Sequence, residues 1–169
     1  MINWLPFQTC PSGERPPIPR KLHLPEGLGD RMRTAAFAER QAVVAFAWAA
    51  DHFSDAPEAV RQQWRAQVAE EQVHCDLISA RMAELGFALD DRPVSLGLWE
   101  TLQACKTGEE FAISIAKAED RGRQAGLRMV KFLTKSDPTT AALFQKIADD
   151  EIAHIALPTT HYGWQPDSD

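Results

Sequence analysis

The chain carries Glu-x-x-His twice, at Glu71 to His74 and at Glu151 to His154, and each copy begins 32 residues after a lone glutamate, Glu39 or Glu119. On a helix, residues three apart share a face with their Cβ atoms about 5 to 6 Å apart, so a carboxylate and an imidazole at that spacing can bind one ion. Each half then offers one more carboxylate. One Glu from each of two helices and a Glu-x-x-His from each of two others form the ligand set of a paired iron or manganese centre inside a helix bundle. The spacing predicts a two-metal site made of Glu39, Glu71, His74, Glu119, Glu151 and His154.

A single Glu-x-x-His usually marks a solvated face. Here all six residues fall on stripes that are otherwise apolar. At helical spacing around Glu39 stand Met32, Ala36, Val43, Phe46 and Ala50, and around Glu71 stand Val60, Trp64, Ile78 and Met82. The neighbours of Glu119 are Ala112, Ile115, Ala116 and Val130, and those of Glu151 are Phe144, Ile147, Ala148 and Ile155. Carboxylates directed inward from such stripes are costly unless they are paired or bound to metal, at several kcal/mol for each isolated charge.

Start and stop signals place the helices that must hold these side chains. Asp30 is the expected cap of a first helix ending near Phe53, and Ser54-Asp55-Ala56-Pro57 is the expected start of a second, closed by Gly86. Thr107-Gly108-Glu109-Glu110 reads as a capping box, and Asp137-Pro138 as a cap followed by proline in the first turn of a fourth helix that stops at Leu157-Pro158. Short links make antiparallel hairpins of the first and second pairs. The link from Phe87 to Lys106 is long enough to run the length of a bundle, with Leu96, Leu98, Trp99 and Leu102 docking it. The expected class is therefore all-α, a four-helix bundle with a long crossover between helices two and three. The expected domains are a proline-rich arm over residues 1–29, a bundle over 30–158 and a short tail over 159–169.

At 169 residues and 44% hydrophobic, the chain can build one substantial core. It has no run of roughly 20 apolar residues that would span a membrane, and its first residues lack a charged-then-apolar leader pattern, so a cytoplasmic location is expected. Cys10, Cys75 and Cys105 are scattered, which argues against a disulfide framework, a zinc ribbon and a rubredoxin-type iron site. Cys75 adjoins His74 and reads as a small core residue. The net charge of −6 shows no basic helix face, so the isolated chain is not expected to bind nucleic acid. Arg15, Arg20 and Lys21 make the arm only mildly basic, and Trp4 and Trp164 suggest a monomer or small closed oligomer, a dimer foremost.

The ligand order resembles the ferritin-like superfamily. The stretches Leu98-Trp99-Glu100, Ala118-Glu119-Asp120-Arg121-Gly122 and Ala148-Asp149-Asp150-Glu151-Ile152-Ala153-His154 are similar to an uncharacterised bacterial branch of it, the domain of unknown function 455 family, related to tRNA-modifying di-iron hydroxylases. The resemblance covers about residues 28–158 and is specific for the metal site rather than the substrate. It implies Glu39 and Glu119 as terminal carboxylates, Glu71 and Glu151 as bridging ones, and one imidazole per metal from His74 and His154. It further implies that Asp150 holds His74 and Glu70 holds His154, the pattern by which ligating imidazoles are oriented. Family members are longer, so part of a substrate site, or a partner, would lie outside this chain. The relation leaves tRNA open as a substrate.

Three functions follow as expectations. A di-iron oxidoreductase would activate dioxygen to oxidise a small or modified organic substrate, using an external electron donor. Iron handling would use the same site to oxidise Fe(II). A metal-free helical interaction module is the third. The proline-rich arm is unlike the helical start of a cage subunit, the chain has no seventh carboxylate one turn from the six, and its one tyrosine, Tyr162, lies past the expected end of the last helix. These points favour the oxidoreductase. Gly122 and Gly126, one and two turns after Glu119, serve either close helix packing or open space beside the metals.

Overall fold

The computed structural model describes residues 2–165, so residues 166–169 of the expected tail lie outside the described residues. Five helices carry the chain: α1 (Pro25–His52), α2 (Glu58–Glu84), α3 (Gly97–Gln103), α4 (Gly108–Leu133) and α5 (Pro138–Tyr162). The long helices pack as two antiparallel pairs, α1 against α2 and α4 against α5, and short α3 lies in the crossover against α1 and α4. This is the ferritin-like four-helix bundle.

Apolar faces close the bundle at both ends of the site. Phe46, Phe53, Trp64, Phe111 and Ile115 form one cluster, and Met32, Phe37, Ile78, Met82, Leu133 and Phe144 form the other. Burying each such side chain stabilises the fold by about 1.5–3 kcal/mol. Along α1, Glu39 falls between Phe37 and Phe46, and along α2, Glu71 falls between Trp64 and Ile78, so the polar residues occupy a belt between two dry clusters.

Several helix ends follow local chemistry. Thr107 accepts from Glu110 N at 3.1 Å, and Glu110 reaches back to Lys106 N at 2.7 Å, one residue ahead of the cap. Asp137 Oδ1 accepts from Thr140 N at 3.0 Å with Pro138 opening α5. At the end of α2, Gly86 has a φ of 78°, Gly86 N donates to Ala83 O, and Phe87 N donates to Met82 O, the Schellman closure that favours glycine.

Three boundaries differ from the sequence expectation, each for a tertiary reason. Helix α1 starts at Pro25, with Leu24 as its flanking residue, and Asp30 lies inside it. Asp30 is a buried junction instead: it accepts from Arg20 Nη2 at 2.7 Å, Arg33 Nη1 at 3.1 Å and Arg92 Nη1 at 2.7 Å, tying arm, helix and crossover together. Asp55 does not cap α2; its Oδ2 accepts from Gly108 N at 2.9 Å across the bundle. Helix α5 runs through Pro158 to Tyr162 before Gly163 ends it in the left-handed region. Pro158 removes one backbone donor, but its ring is buried and the helix continues.

The arm and the crossover hold one another. Thr9 and Val94 form a parallel bridge, with Cys10 N donating to Val94 O and Val94 N to Gln8 O, both at 2.9 Å. Trp4 turns inward, its ring centroid 5.5 Å from Phe37 and 6.3 Å from Trp99, so it is not an exposed apolar handle. Trp164 lies under Lys117 Nζ at 5.7 Å. The backbone N–H of Trp99 donates to the buried Gln41 side chain at 3.0 Å, fixing α3 over α1.

Candidate metal centre

Helices α2 and α5 each direct a Glu-x-x-His pair into the belt, and α1 and α4 each add one glutamate. Glu71 and Glu151 occupy the middle. Glu71 Oε2 is 3.7 Å from His74 Nδ1 and its Oε1 is 2.9 Å from His154 Nδ1. Glu151 repeats the arrangement, with Oε1 3.3 Å from His74 Nδ1 and Oε2 3.5 Å from His154 Nδ1. Glu39 lies beside His74 at 3.9 Å, and Glu119 lies beside His154 at 4.0 Å. Two groups result, Glu39-Glu71-His74-Glu151 and Glu71-Glu119-Glu151-His154, in each of which the ligand atoms lie within 4.8 Å of one another. Glu71 and Glu151 belong to both, so the residues can coordinate a pair of metal ions.

Both rings turn Nδ1 inward and Nε2 outward. His74 Nε2 is 3.1 Å from Asp150 Oδ2, and His154 Nε2 is 2.9 Å from Glu70 Oε2. Asp150 is itself tied to Lys146 one turn away. These outer carboxylates fix which nitrogen faces the centre.

Electrostatics without metal follow from crowding. Burial and the adjacent Glu71 push the Glu39 carboxyl well above the usual range, and burial and Glu151 do the same to Glu119. Burial also works to raise Glu71, but His154 and His74 outweigh it and bring it down to about 2. Burial disfavours charged imidazoles, yet the carboxylates of Glu151 and Glu71 outweigh it, pushing His74 up to about 10 and His154 to about 11. Protons therefore occupy the metal-free site.

The ligand atoms nonetheless meet one another only as close charge contacts, without aligned hydrogen bonds. Eight atoms here are buried without a hydrogen bond: both carboxylate oxygens of Glu71, Glu119 and Glu151, and Nδ1 of His74 and His154. Inward oxygens and imidazole nitrogens left without donors are what divalent transition ions bind, and the residues fit such ions.

A cavity of about 490 Å³ opens on the side of Glu39 and Glu119, between α1, α4 and α5. Ala38, Ala42, Ile115, Met129, Phe144 and Ile147 supply its apolar walls. Gly122 and Gly126 line it too; a Cβ added at Gly122 would meet nothing within 4 Å, and one at Gly126 would touch Phe144 at 3.6 Å. Gly122 therefore leaves open space, while Gly126 stands in ordinary contact. Phe46 does not line this cavity; its ring lies 6.4 Å from that of His154. Cys75 is buried and belongs to neither ligand group.

Sequence reasoning missed the polar part of the cavity wall, Arg31, Arg123 and Arg128. Arg123 follows Glu119 by four residues and Arg31 precedes Glu39 by eight, helical spacings that put each near its glutamate's face. Tyr162 also differs from expectation, since it ends α5 and packs on the core with its hydroxyl buried and unpartnered.

Among the described residues no helix is long and apolar enough to cross a membrane. No curated protein and no solved structure matches the chain. The family described as "Protein of unknown function (DUF455)" matches residues 9–168, nearly the whole sequence, and the chain belongs to that family, within the ferritin-like superfamily.

Proposed function

We propose that this chain is a non-haem di-iron oxidoreductase that uses dioxygen to oxidise an organic substrate held in the cavity. What carries the reading is the set of eight buried ligand atoms without aligned hydrogen bonds, facing an apolar compartment of small-molecule size. His74 and Glu39 would hold one ion, His154 and Glu119 the other, and Glu71 and Glu151 would bridge them. Four carboxylates balance the charge of two Fe(II) ions, and manganese fits the same donors. A bound iron pair supplies redox chemistry that no protein side chain has, the reduction of dioxygen. The residues around it orient the donors, exclude water and hold protons. In a hydroxylation one oxygen atom enters the substrate and the other leaves as water, so two electrons come from the substrate bond and two from an external donor.

Iron handling is the second reading, through the same ligands. The compartment favours the first reading, because walls of Ala38, Ile115, Met129 and Phe144 suit an organic body better than hydrated Fe(II). Anaerobic reconstitution followed by metal analysis and rapid mixing with oxygen tests both readings. The expected result is about two iron ions per chain, an optical change on oxygen addition, and loss of that change in Glu119→Ala. Less than half an equivalent of iron or manganese, or a reduced protein inert to oxygen, would overturn the proposal. Repeated Fe(II) uptake with a growing mineral would move the function to iron handling.

A further inference from the structure

The cavity has an apolar body and a cationic mouth. Glu39, Glu71, Glu119 and Glu151 form its inner end, while Arg31 and Arg123 are half-buried and Arg128 is exposed, which places the guanidiniums at the solvent end. Six of the twelve arginines have no carboxylate partner among the described residues, Arg15, Arg40 and Arg121 elsewhere and these three, which share one cavity. Arg20, Arg33, Arg61, Arg65, Arg81 and Arg92 each have a carboxylate oxygen within 4.0 Å. Arg31, Arg123 and Arg128 have none among the described residues, although the chain carries 24 acidic side chains against 18 basic ones.

Two of the three are held in place by backbone. Arg31 Nη1 donates to Arg20 O at 2.7 Å and to Gly27 O at 2.8 Å, which leaves its Nη2 free. Arg123 Nε donates to Ala148 O at 2.9 Å, which leaves both Nη atoms free. Guanidiniums fixed by one edge and free at the other are prepared to grip an oxyanion at little entropic cost. Apolar walls below them would take a hydrocarbon body, and about 490 Å³ falls within the roughly 300–1,000 Å³ of small-molecule pockets.

We propose that the compartment binds an amphipathic anion: a small apolar chain or ring system with a carboxylate or phosphate head. The head sits on Arg31, Arg123 and Arg128, and the body runs inward toward Glu39 and Glu119. This substrate class rests on the oxidoreductase reading for its purpose, but its binding does not depend on metal.

The test is calorimetric titration of the full chain with decanoate, decyl phosphate and decanol, with metal content measured on each sample. One or both anions are expected to bind at one site, with decanol weaker by about tenfold or more. The anion that binds tighter identifies the head. The Arg31→Gln/Arg123→Gln variant should lose about tenfold in anion affinity and little for decanol. Gly122→Leu keeps every charge but fills the open space, and should abolish binding of all three probes. Decanol binding as tightly as the tighter anion would overturn the proposal, as would unchanged binding in Gly122→Leu. Unchanged anion affinity in the arginine variant would also overturn it, and reduced metal content there would assign those guanidiniums to balancing the cluster's charge. A chain that binds decanoate but takes up no metal keeps this proposal while removing the oxidoreductase reading; an oxygen-reactive metal pair in a chain that binds neither anion does the reverse.

Discussion

Glu70 on α2 reaches across the bundle to His154 on α5, its Oε2 2.9 Å from His154 Nε2, while its neighbour Glu71 turns inward against the other nitrogen of the same ring. Asp150 and His74 repeat this from the opposite side at 3.1 Å. Adjacent acidic residues on a helix point about 100° apart, so one Asp-Glu or Glu-Glu pair can supply an inward ligand and an outward clamp on the opposite helix's histidine. The clamps cross-link α2 and α5, and each imidazole is held at its outer edge.

A first prediction follows from the clamps. Asp150→Asn or Glu70→Gln should weaken metal binding by about 10- to 100-fold while leaving the helix content intact. Asp150 is also held by Lys146, whereas Glu70 is 57% exposed, so the Asp150 variant should show the larger loss. Competition with a chelator of known affinity measures it. Equal affinity in wild type and both variants would mean that the clamps do not set the tautomer.

The second prediction concerns pH. In the metal-free protein Glu39, Glu119, His74 and His154 all bind protons more tightly than in the unfolded chain. The folded state thus holds the extra protons, and stability falls as pH rises. For the histidines the contribution is fully present below their unfolded pKa of about 6.5 and disappears as pH climbs through about 10 and 11. Metal binding must expel these protons, so affinity should increase with pH across the neutral range. Melting curves of metal-free protein from pH 7 to 10 should show a declining midpoint, and metal titration in weak buffer should release acid. A rising midpoint over that range would contradict the assignment.

How much could be read from the sequence depended on the distance over which each residue finds its partner. The six residues that the structure brings together were legible because each motif closes within one helical turn and its repeat is exact in spacing. Thr107, Asp137 and Gly86 were legible for the same reason, since their partners lie within four residues. Asp30 was misread as a cap because its partners Arg20 and Arg92 come from segments that only the folded chain brings near. Asp55 looked like a local cap and instead serves α4. The cavity was only partly legible: Gly122 hinted at open space, but the arginine mouth depends on how α1 and α4 are set relative to each other.

The third prediction returns to that junction. Asp30 is 5% exposed and faces Arg20, Arg33 and Arg92, with Arg33 itself 2% exposed. Burial works to raise its pKa, but hydrogen bonds from Arg20 and the charge of Arg92 outweigh it and hold the carboxyl far below the usual range. Its stabilising contribution is present above the unfolded pKa of about 3.9 and is lost as pH falls below that toward its folded value. Asp30→Ala leaves the buried Arg33 only the longer contact to exposed Asp91, at 3.4 Å, and should cost about 3 kcal/mol. Urea unfolding at neutral pH and at pH 3 checks both statements: the difference between wild type and variant should shrink in acid. An undiminished difference at pH 3 would mean that packing, not charge, explains the loss.

The last prediction contrasts two helical glycines, because the same substitution should change stability in opposite directions. At Gly122 an added methyl meets nothing within 4 Å, so Gly122→Ala removes only the conformational freedom of glycine in the unfolded chain. It should stabilise the protein by about 1 kcal/mol and leave metal uptake unchanged, since alanine barely enters the cavity. At Gly108 the added methyl would lie 2.6 Å from Ala56 Cβ and 3.3 Å from its Cα, and Gly108 N is the group that Asp55 caps. Accommodation there requires the α1–α2 connection to move away from α4, which weakens that hydrogen bond as well. Gly108→Ala should therefore destabilise, by about 1–3 kcal/mol. Thermal unfolding of both variants at one pH decides the matter. Stabilisation by Gly108→Ala would show that the loop yields freely and that the contact between Ala56 and α4 does not constrain the bundle.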